Sequence, residues 1–422
     1  EDLQGGVSWS EYNNTYGIPG GFTGAHPFGV DIDIFKRDIL GKLSYDISGD
    51  VFDNLRLNFE RTYYHHTEYE KPGLIGAEFV LKNHKAGIYA EHSLGHLHNG
   101  TIGASAAFKE HKIGGFVFTP PVDKLSSAIF WFNKFNFIDF KLETSIRYEY
   151  SHYKPEYSVN VDNDELENRS FHDPVLSFQI SKELTGRFET GIFAANISRA
   201  PSIEELYNRG PHLAAYSYET GNPELDRESG FTAELFTEYK TKDLRLRSSV
   251  FYNDYSNYIF PRATGDTNWS SLLPVYAMQG NSAMITGFEI QGSCRIFDNL
   301  KFTGNTAYIY GEMTDAGQPL PMIPPLSGNL ALELNESSFF GKISAEYAFD
   351  QDRVYKFEEA TAGYAVFAVS GGYRYEYKDF LNVISIKLHN LRNKVYRNHL
   401  SRIKSIFPEP GFNVKLNYDL YY

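Results

Sequence analysis

Apolar and polar residues alternate one by one over most of this chain. Leu55, Leu57 and Phe59 are separated by Arg56 and Asn58, and the alternation continues on the polar side through Glu60, Thr62 and Tyr64. Phe140, Leu142, Thr144, Ile146, Tyr148 and Tyr150 oppose Lys141, Glu143, Ser145, Arg147 and Glu149 in the same way. Further runs start at Ile102, Leu244 and Phe288, and the chain ends on one, NVKLNYDLYY at 413–422. A period of two places successive side chains on opposite faces of a β-strand. No long helical period interrupts the series, so the pattern predicts an all-β protein.

The connections alternate in size. FDNL at 52–55 and again at 297–300, TKDL at 241–244 and YKDF at 377–380 read as tight turns. The stretches 12–27, 154–169, 199–227, 261–274 and 392–410 are long and rich in Gly, Pro, Asn and Asp. Short turns at one end and long loops at the other predict an antiparallel up-and-down transmembrane β-barrel with about 18 strands. Closure matters because an open sheet edge in hydrocarbon leaves backbone donors and acceptors unpaired. A regular final strand is what a closing seam needs. Segments such as 30–47 exceed the roughly 9–11 residues that cross a bilayer and are expected to project beyond it.

Composition agrees with that reading. The mean hydropathy is -0.40, which a barrel tolerates because only its lipid face must be apolar. The 33 Phe and 31 Tyr supply rings for two membrane interfaces, and the single Cys294 forms no internal disulfide. A net charge of -13 speaks against nucleic acid as a partner. No apolar run is long enough for a membrane helix, and no leader is visible at Glu1. No blade-length repeat of a propeller is present.

The segment SRAPSIEELYNRGPHLAAYSYETGNPELDRESG, 198–230, carries Arg199-Ala200-Pro201, Glu205-Leu206 and Gly221-Asn222-Pro223-x-Leu225-x-x-Glu228 in order. It resembles the signature of TonB-dependent outer-membrane receptors. YGIPG at 16–20, YYHHTEYE at 63–70, LPMIPPL at 320–326, NHLS at 398–401 and the final aromatic Tyr422 resemble the zinc-uptake branch. The resemblance implies the outer membrane of a Gram-negative bacterium, contact with its lipid and lipopolysaccharide, and recognition by the barrel assembly machinery. It further implies energy-coupled uptake of a small ligand through the TonB-ExbB-ExbD complex. Family members carry an N-terminal plug and a barrel of about 22 strands. Residues 1–422 are therefore expected to be one domain, the C-terminal barrel portion, with plug and first strands absent.

For ligand chemistry, alternation puts His66, Glu68 and Glu70 on the lumen face with Arg56, Asn58 and Glu60. His and carboxylate together suit a borderline-soft divalent cation such as zinc. His111, His26 and His212 are the natural recruits. Eight of the 13 His, at 26, 65, 66, 111, 152, 172, 212 and 399, fall at the long-loop end. His65 and His152 take the lipid-side register. Glu224, Asp226, Arg227 and Glu228 are expected to order the loop base. No resident cofactor is expected. Heme, with His212 near Tyr216 and Tyr218, and iron-siderophore complexes stay open as ligands. A passive porin-type channel or a surface-binding protein are rival functions. No nucleophile elbow, HExxH or phosphate loop points to an enzyme.

Overall fold

The computed structural model describes residues 2–18, 29–47, 49–71, 73–115, 119–157, 166–212 and 215–421. The first nine strands are β1 (Leu3–Ile18), β2 (Val30–Asp46), β3 (Phe52–Lys71), β4 (Leu74–Leu94), β5 (His98–Gly115), β6 (Val122–Asn136), β7 (Lys141–Pro155), β8 (Arg169–Thr185) and β9 (Phe188–Arg199). A short helix α1 (Ile203–Tyr207) precedes β10 (Arg209–His212), β11 (Ser217–Thr220), β12 (Glu228–Lys240), β13 (Leu244–Asn268), β14 (Leu273–Phe297) and β15 (Leu300–Met313). The chain ends with β16 (Gln318–Pro319), β17 (Ser327–Asn335), β18 (Phe339–Ala348), β19 (Tyr364–Tyr377), β20 (Phe380–His389) and β21 (Asn413–Tyr421). All 21 belong to one sheet. β10, β11 and β16 are loop strands of two to four residues, which leaves eighteen long ones, the number read from the pattern.

Sequential strands pair antiparallel from β1 through β7, and from β17 through β21. Register lines up the apolar faces. Leu57, Ile88, Ala104, Ile129 and Tyr148 stand opposite one another across β3 to β7, and Leu55, Ala90, Ile102, Trp131 and Ile146 form the adjacent row. The large side chains of these rows are exposed, apart from the half-buried Leu55. On β6 this face runs from Phe135 to Leu125, ~34 Å of strand or ~24 Å of height at a 45° tilt, the depth of a lipid-facing band. One row beyond it, charge returns in Lys82, Glu110, Asp123 and Lys154, with Lys82 Nζ 2.9 Å from Glu110.

The second half repeats the arrangement. Phe302, Leu332, Ile343, Val369, Leu388 and Val414 make one apolar row, and Cys294 extends it opposite Phe302. The alternation of the last strand is explained here: Leu416 and Tyr418 lie opposite Ile386 and Ile384 on the apolar face. Tyr422 lies outside the described residues.

Two compact units divide the Cα framework: Glu1–Ile180 with Phe193–Thr232 and Asp254–Ser282, and Ser181–Ile192 with Ala233–Asn253 and Ala283–Tyr422. Three details depart from the expectation. The residues placed in a turn at 52–55 are strand: Phe52 opens β3 and already pairs with His92, with a register slip before Asn54. Residues 12–18 and 261–268 are strand, because a hairpin can rise past the bilayer on backbone pairing alone whatever its polarity. A helix also interrupts the long loop, α1, which is short enough to escape a periodicity reading.

Candidate functional site

The long-loop end of the first unit gathers the candidate ligands. On β3, the lumen register holds as expected from Asn54 to Glu68: Thr62 donates to Asp38 directly opposite at 2.7 Å. His66 follows on the same face. Its Nε2 lies 3.5 Å from Glu68, its Nδ1 2.7 Å from the Tyr64 hydroxyl, and its ring stacks on Phe79 at 4.2 Å between centroids. Glu68 is buried. His65 points the other way, to Glu78 at 2.8 Å. The register slips on both sides of Tyr69, so alternation no longer ties Glu70 to the face of Glu68.

His111 stands on the same face of β5, two strands over. Leu81 is opposite His111 and Phe79 opposite His66, which puts the two His Cα atoms ~12 Å apart by strand spacing. His111 is buried, its Nε2 is 3.6 Å from Glu204 of α1, and its Nδ1 has no hydrogen-bond partner among the described residues. His212 on β10 has Nδ1 3.3 Å from Glu219. Each of the three described His candidates therefore has its own carboxylate. Among the described residues no group of three or more His, Cys, Asp or Glu is gathered as a metal site. His26 lies outside the described residues.

The 199–228 signature folds as a tie. Ser202 caps α1 by accepting from Glu205 N at 3.1 Å, and the Glu205 carboxylate accepts from Ser202 N at 2.7 Å. The same carboxylate takes Arg199 at 2.8 Å, and Arg199 reaches Glu228 at 3.1 Å. Glu228, in turn, accepts from Ile259 N at 3.1 Å. Gly221 donates to Asn208 O at 2.6 Å, and a Cβ there would sit 2.7 Å from the Leu206 carbonyl carbon, so the helix end admits only glycine. Asn222 accepts from Glu224 N at 2.9 Å, the turn expected of Asn-Pro. Ile203, Leu206 and Tyr207 pack with Val122, Tyr153, Phe171, Leu225 and Ile259 into a buried cluster, and the Tyr153 hydroxyl donates to Pro201 O. Burial of Tyr207 pushes its phenol up to about 12. Of the four charges expected to order the loop base, Glu228 pairs as foreseen and Arg227 donates to His172 O instead.

A second tie in the outer loops of the other unit was not legible in the sequence. Glu358, buried, accepts from Lys404 Nζ at 2.9 Å, from Met322 N at 3.2 Å and from Tyr355 N at 3.3 Å, and His399 Nε2 lies 3.2 Å away. His399 Nδ1 is 2.9 Å from the Thr361 hydroxyl, and Lys404 also donates to His399 O at 2.9 Å. The LPMIPPL and NHLS stretches thus meet at one carboxylate. Burial opposes its ionisation, but the donors from His399 and Lys404 and the Lys404 charge hold Glu358 down to about 2.

A family model described as TonB dependent receptor-like, beta-barrel matches residues 1–393. The ferric enterobactin receptor PirA of Pseudomonas aeruginosa is 25% identical over 160 residues, which cover 34% of this chain and 21% of that receptor. The match thus spans about a fifth of the curated relative's length. Among solved structures, the copper transporter OprC aligns with a TM-score of 0.78 at 15% identity, over 98% of this chain and 71% of that one. The FrpB iron transporter from Neisseria meningitidis (F5-1 variant) aligns with a TM-score of 0.77 at 12% identity, over 99% and 70%. These low identities carry the fold, an antiparallel receptor-type barrel.

Proposed function

We propose that this chain, which belongs to the TonB-dependent receptor β-barrel family, forms the barrel of a receptor that takes up a transition metal across the outer membrane of a Gram-negative bacterium. The observation that carries the metal reading is the set of His–carboxylate pairs at one end of the sheet. His66–Glu68 is the leading pair at 3.5 Å, and the buried Nδ1 of His111 is a lone nitrogen with no partner among the described residues. Neutral imidazole beside carboxylate is a donor set that zinc accepts. Passage through the lumen is then driven by the TonB complex, since a site tight enough to capture traces releases them slowly. The names of the similar proteins, copper and iron transporters and a ferric enterobactin receptor, support metal as the cargo class.

A second reading is favoured by one observation: among the described residues no third ligand joins His66 and Glu68. A metal that arrives inside a chelate needs no complete protein site, only contacts to the chelator. Calorimetry on the detergent-folded chain separates the two. Zinc is expected to bind the wild type and to lose at least about tenfold in affinity in His66→Ala, Glu68→Ala. Equal zinc binding by both proteins removes the His66 site. If neither binds zinc while a ferric chelate binds, the chelate reading stands in its place.

A further inference from the structure

The outward face of the first unit turns polar on β7 and β8 before the lipid-facing band ends. Leu125, the last apolar residue of that band on β6, stands directly opposite His152, and Ser127 directly opposite Tyr150. Phe108 and His84 continue the row of His152, and Ala106 and Ala86 that of Tyr150. On β8, His172 and Ser170 share a face with the exposed Leu176 and Phe178, and hydrogen bonds place them beside Tyr148 and Tyr150. β5 is apolar at Ala106 and Phe108, so the polar surface reaches four residues further down β7, ~10 Å of height at a 45° tilt.

Both imidazoles of this patch are half satisfied. His152 Nδ1 lies 2.9 Å from the Ser170 hydroxyl, and His172 Nδ1 lies 2.5 Å from the Tyr148 hydroxyl. Among the described residues neither Nε2 has a hydrogen-bond partner, and neither ring meets a carboxylate, in contrast to His65, His66, His111 and His212. The backbone is irregular at the same place. Pro174 has no N–H to donate, and the Asn196 side chain bridges the strand there: its Nδ2 donates to Pro174 O at 2.7 Å and its Oδ1 accepts from Leu176 N at 2.6 Å. The Arg227 guanidinium donates to His172 O, and Lys154 stands one row above His152, opposite Asp123. Hydrocarbon offers such groups no hydrogen bonds, so a polar partner on the outward side relieves their cost.

We infer that this patch binds the phosphate-bearing headgroup of a membrane lipid in the leaflet on the long-loop side. Continuity with the lipid-facing rows makes a lipid the neighbour, its chains lying on Leu176 and Phe178 below. The side chains make the headgroup anionic. Ser127, Tyr148, Tyr150, His152, Ser170 and His172 include no carboxylate, and the Arg227 and Lys154 cations border them. With the Tyr148 hydroxyl donating to Nδ1, the proton of His172 sits on Nε2 and donates to a phosphate oxygen. A divalent cation, by contrast, finds no gathered ligand set among the described residues. The site needs only the barrel's place in a membrane and is independent of the cargo.

The test is native mass spectrometry of the full chain folded in a phosphate-free detergent. It is titrated with diphosphoryl lipid A, with the same lipid A stripped of both phosphates, and with inorganic phosphate. Wild type is expected to retain the diphosphoryl form and to bind the stripped form at least about tenfold more weakly. His152→Leu, His172→Leu is expected to lose at least about tenfold in affinity for the diphosphoryl form, while His84→Leu, at the same height on β4, is unchanged. A thermal readout separates loss of the site from misfolding. Without lipid the double variant is expected to melt no earlier than wild type, because leucine extends the apolar face, and diphosphoryl lipid A raises the midpoint of wild type and of His84→Leu alone. The comparison of the two lipid forms on wild type needs no variant. Equal retention of both forms, equal binding by the double variant, or the same loss in His84→Leu overturns the inference. Saturation by inorganic phosphate with no preference for the lipid overturns it as well, since that is a site for a free anion.

Discussion

Glu358→Gln tests whether one buried carboxylate fastens the outer loops at 320–326, 349–363 and 390–412. The substitution keeps the shape and removes the charge, leaving the Lys404 ammonium, 8% exposed at its side chain, with only neutral acceptors close by, the amide oxygen of the new side chain and His399 O. The magnitude follows from linkage. Glu358 is held at about 2 against an ordinary 4.5, which corresponds to ~3 kcal/mol, or roughly 2 after allowance for solvent near a loop. Stranding one member of a buried pair has an upper scale of about 3–5 kcal/mol. Two to three kcal/mol predicts about 30- to 150-fold faster exchange of amides in 349–363 and 398–407 if they open locally. The folded value lies below the unfolded one, so the contribution is complete above pH 4.5 and falls away as the pH drops towards 2. Hydrogen exchange read by mass spectrometry at neutral pH, with β15 peptides as reference, measures it. Unchanged loop protection in the variant, or loosening spread equally through β15, refutes the reasoning.

Two further outcomes are expected. Ile129→Arg, in the exposed apolar row of β6, should lower stability by about 2–4 kcal/mol in urea unfolding from phospholipid vesicles; an unshifted midpoint would mean that this row does not face lipid. Arg199→Ala strands the buried Glu228 and the capping Glu205, so limited proteolysis should cut the 200–227 loop sooner by about 3 kcal/mol of lost local stability. Lysine at 199 should restore that protection only in part, because it cannot reproduce a fork that reaches both carboxylates. Full rescue by lysine would reduce the tie to a matter of charge.

What the sequence made legible was local. A period of two needs no knowledge of neighbours, so the eighteen long strands, the turns at 241–244, 297–300 and 377–380, and the face of His66 could all be read from short windows. Composition misled where polar strand and polar loop look alike: 261–268 is rich in loop-forming residues yet continues β13. The face of Glu70 was lost to the register slip at Tyr69, which no alternation reveals. The helix had a readable signal in Ser202-x-x-Glu205, a capping box. Its partner Arg199 was in view as part of the signature, but the closing contact to Glu228 depends on how the intervening loop folds back.

Register marks the boundary of that legibility. A window around Phe302 shows which residues share its face, but not which residues of the neighbouring strands stand beside it. The apolar rows decide part of this, because a slip of one residue would exchange the two faces of a strand and turn Lys301 to the lipid side. A slip of two residues would keep the lipid face apolar, so alternation alone does not exclude it. The short turns at 297–300 and 377–380 remove that freedom, since a hairpin turn fixes which residues of its two strands begin the pairing. The position of Phe302 between Cys294 and Leu332 therefore follows from turn and alternation together.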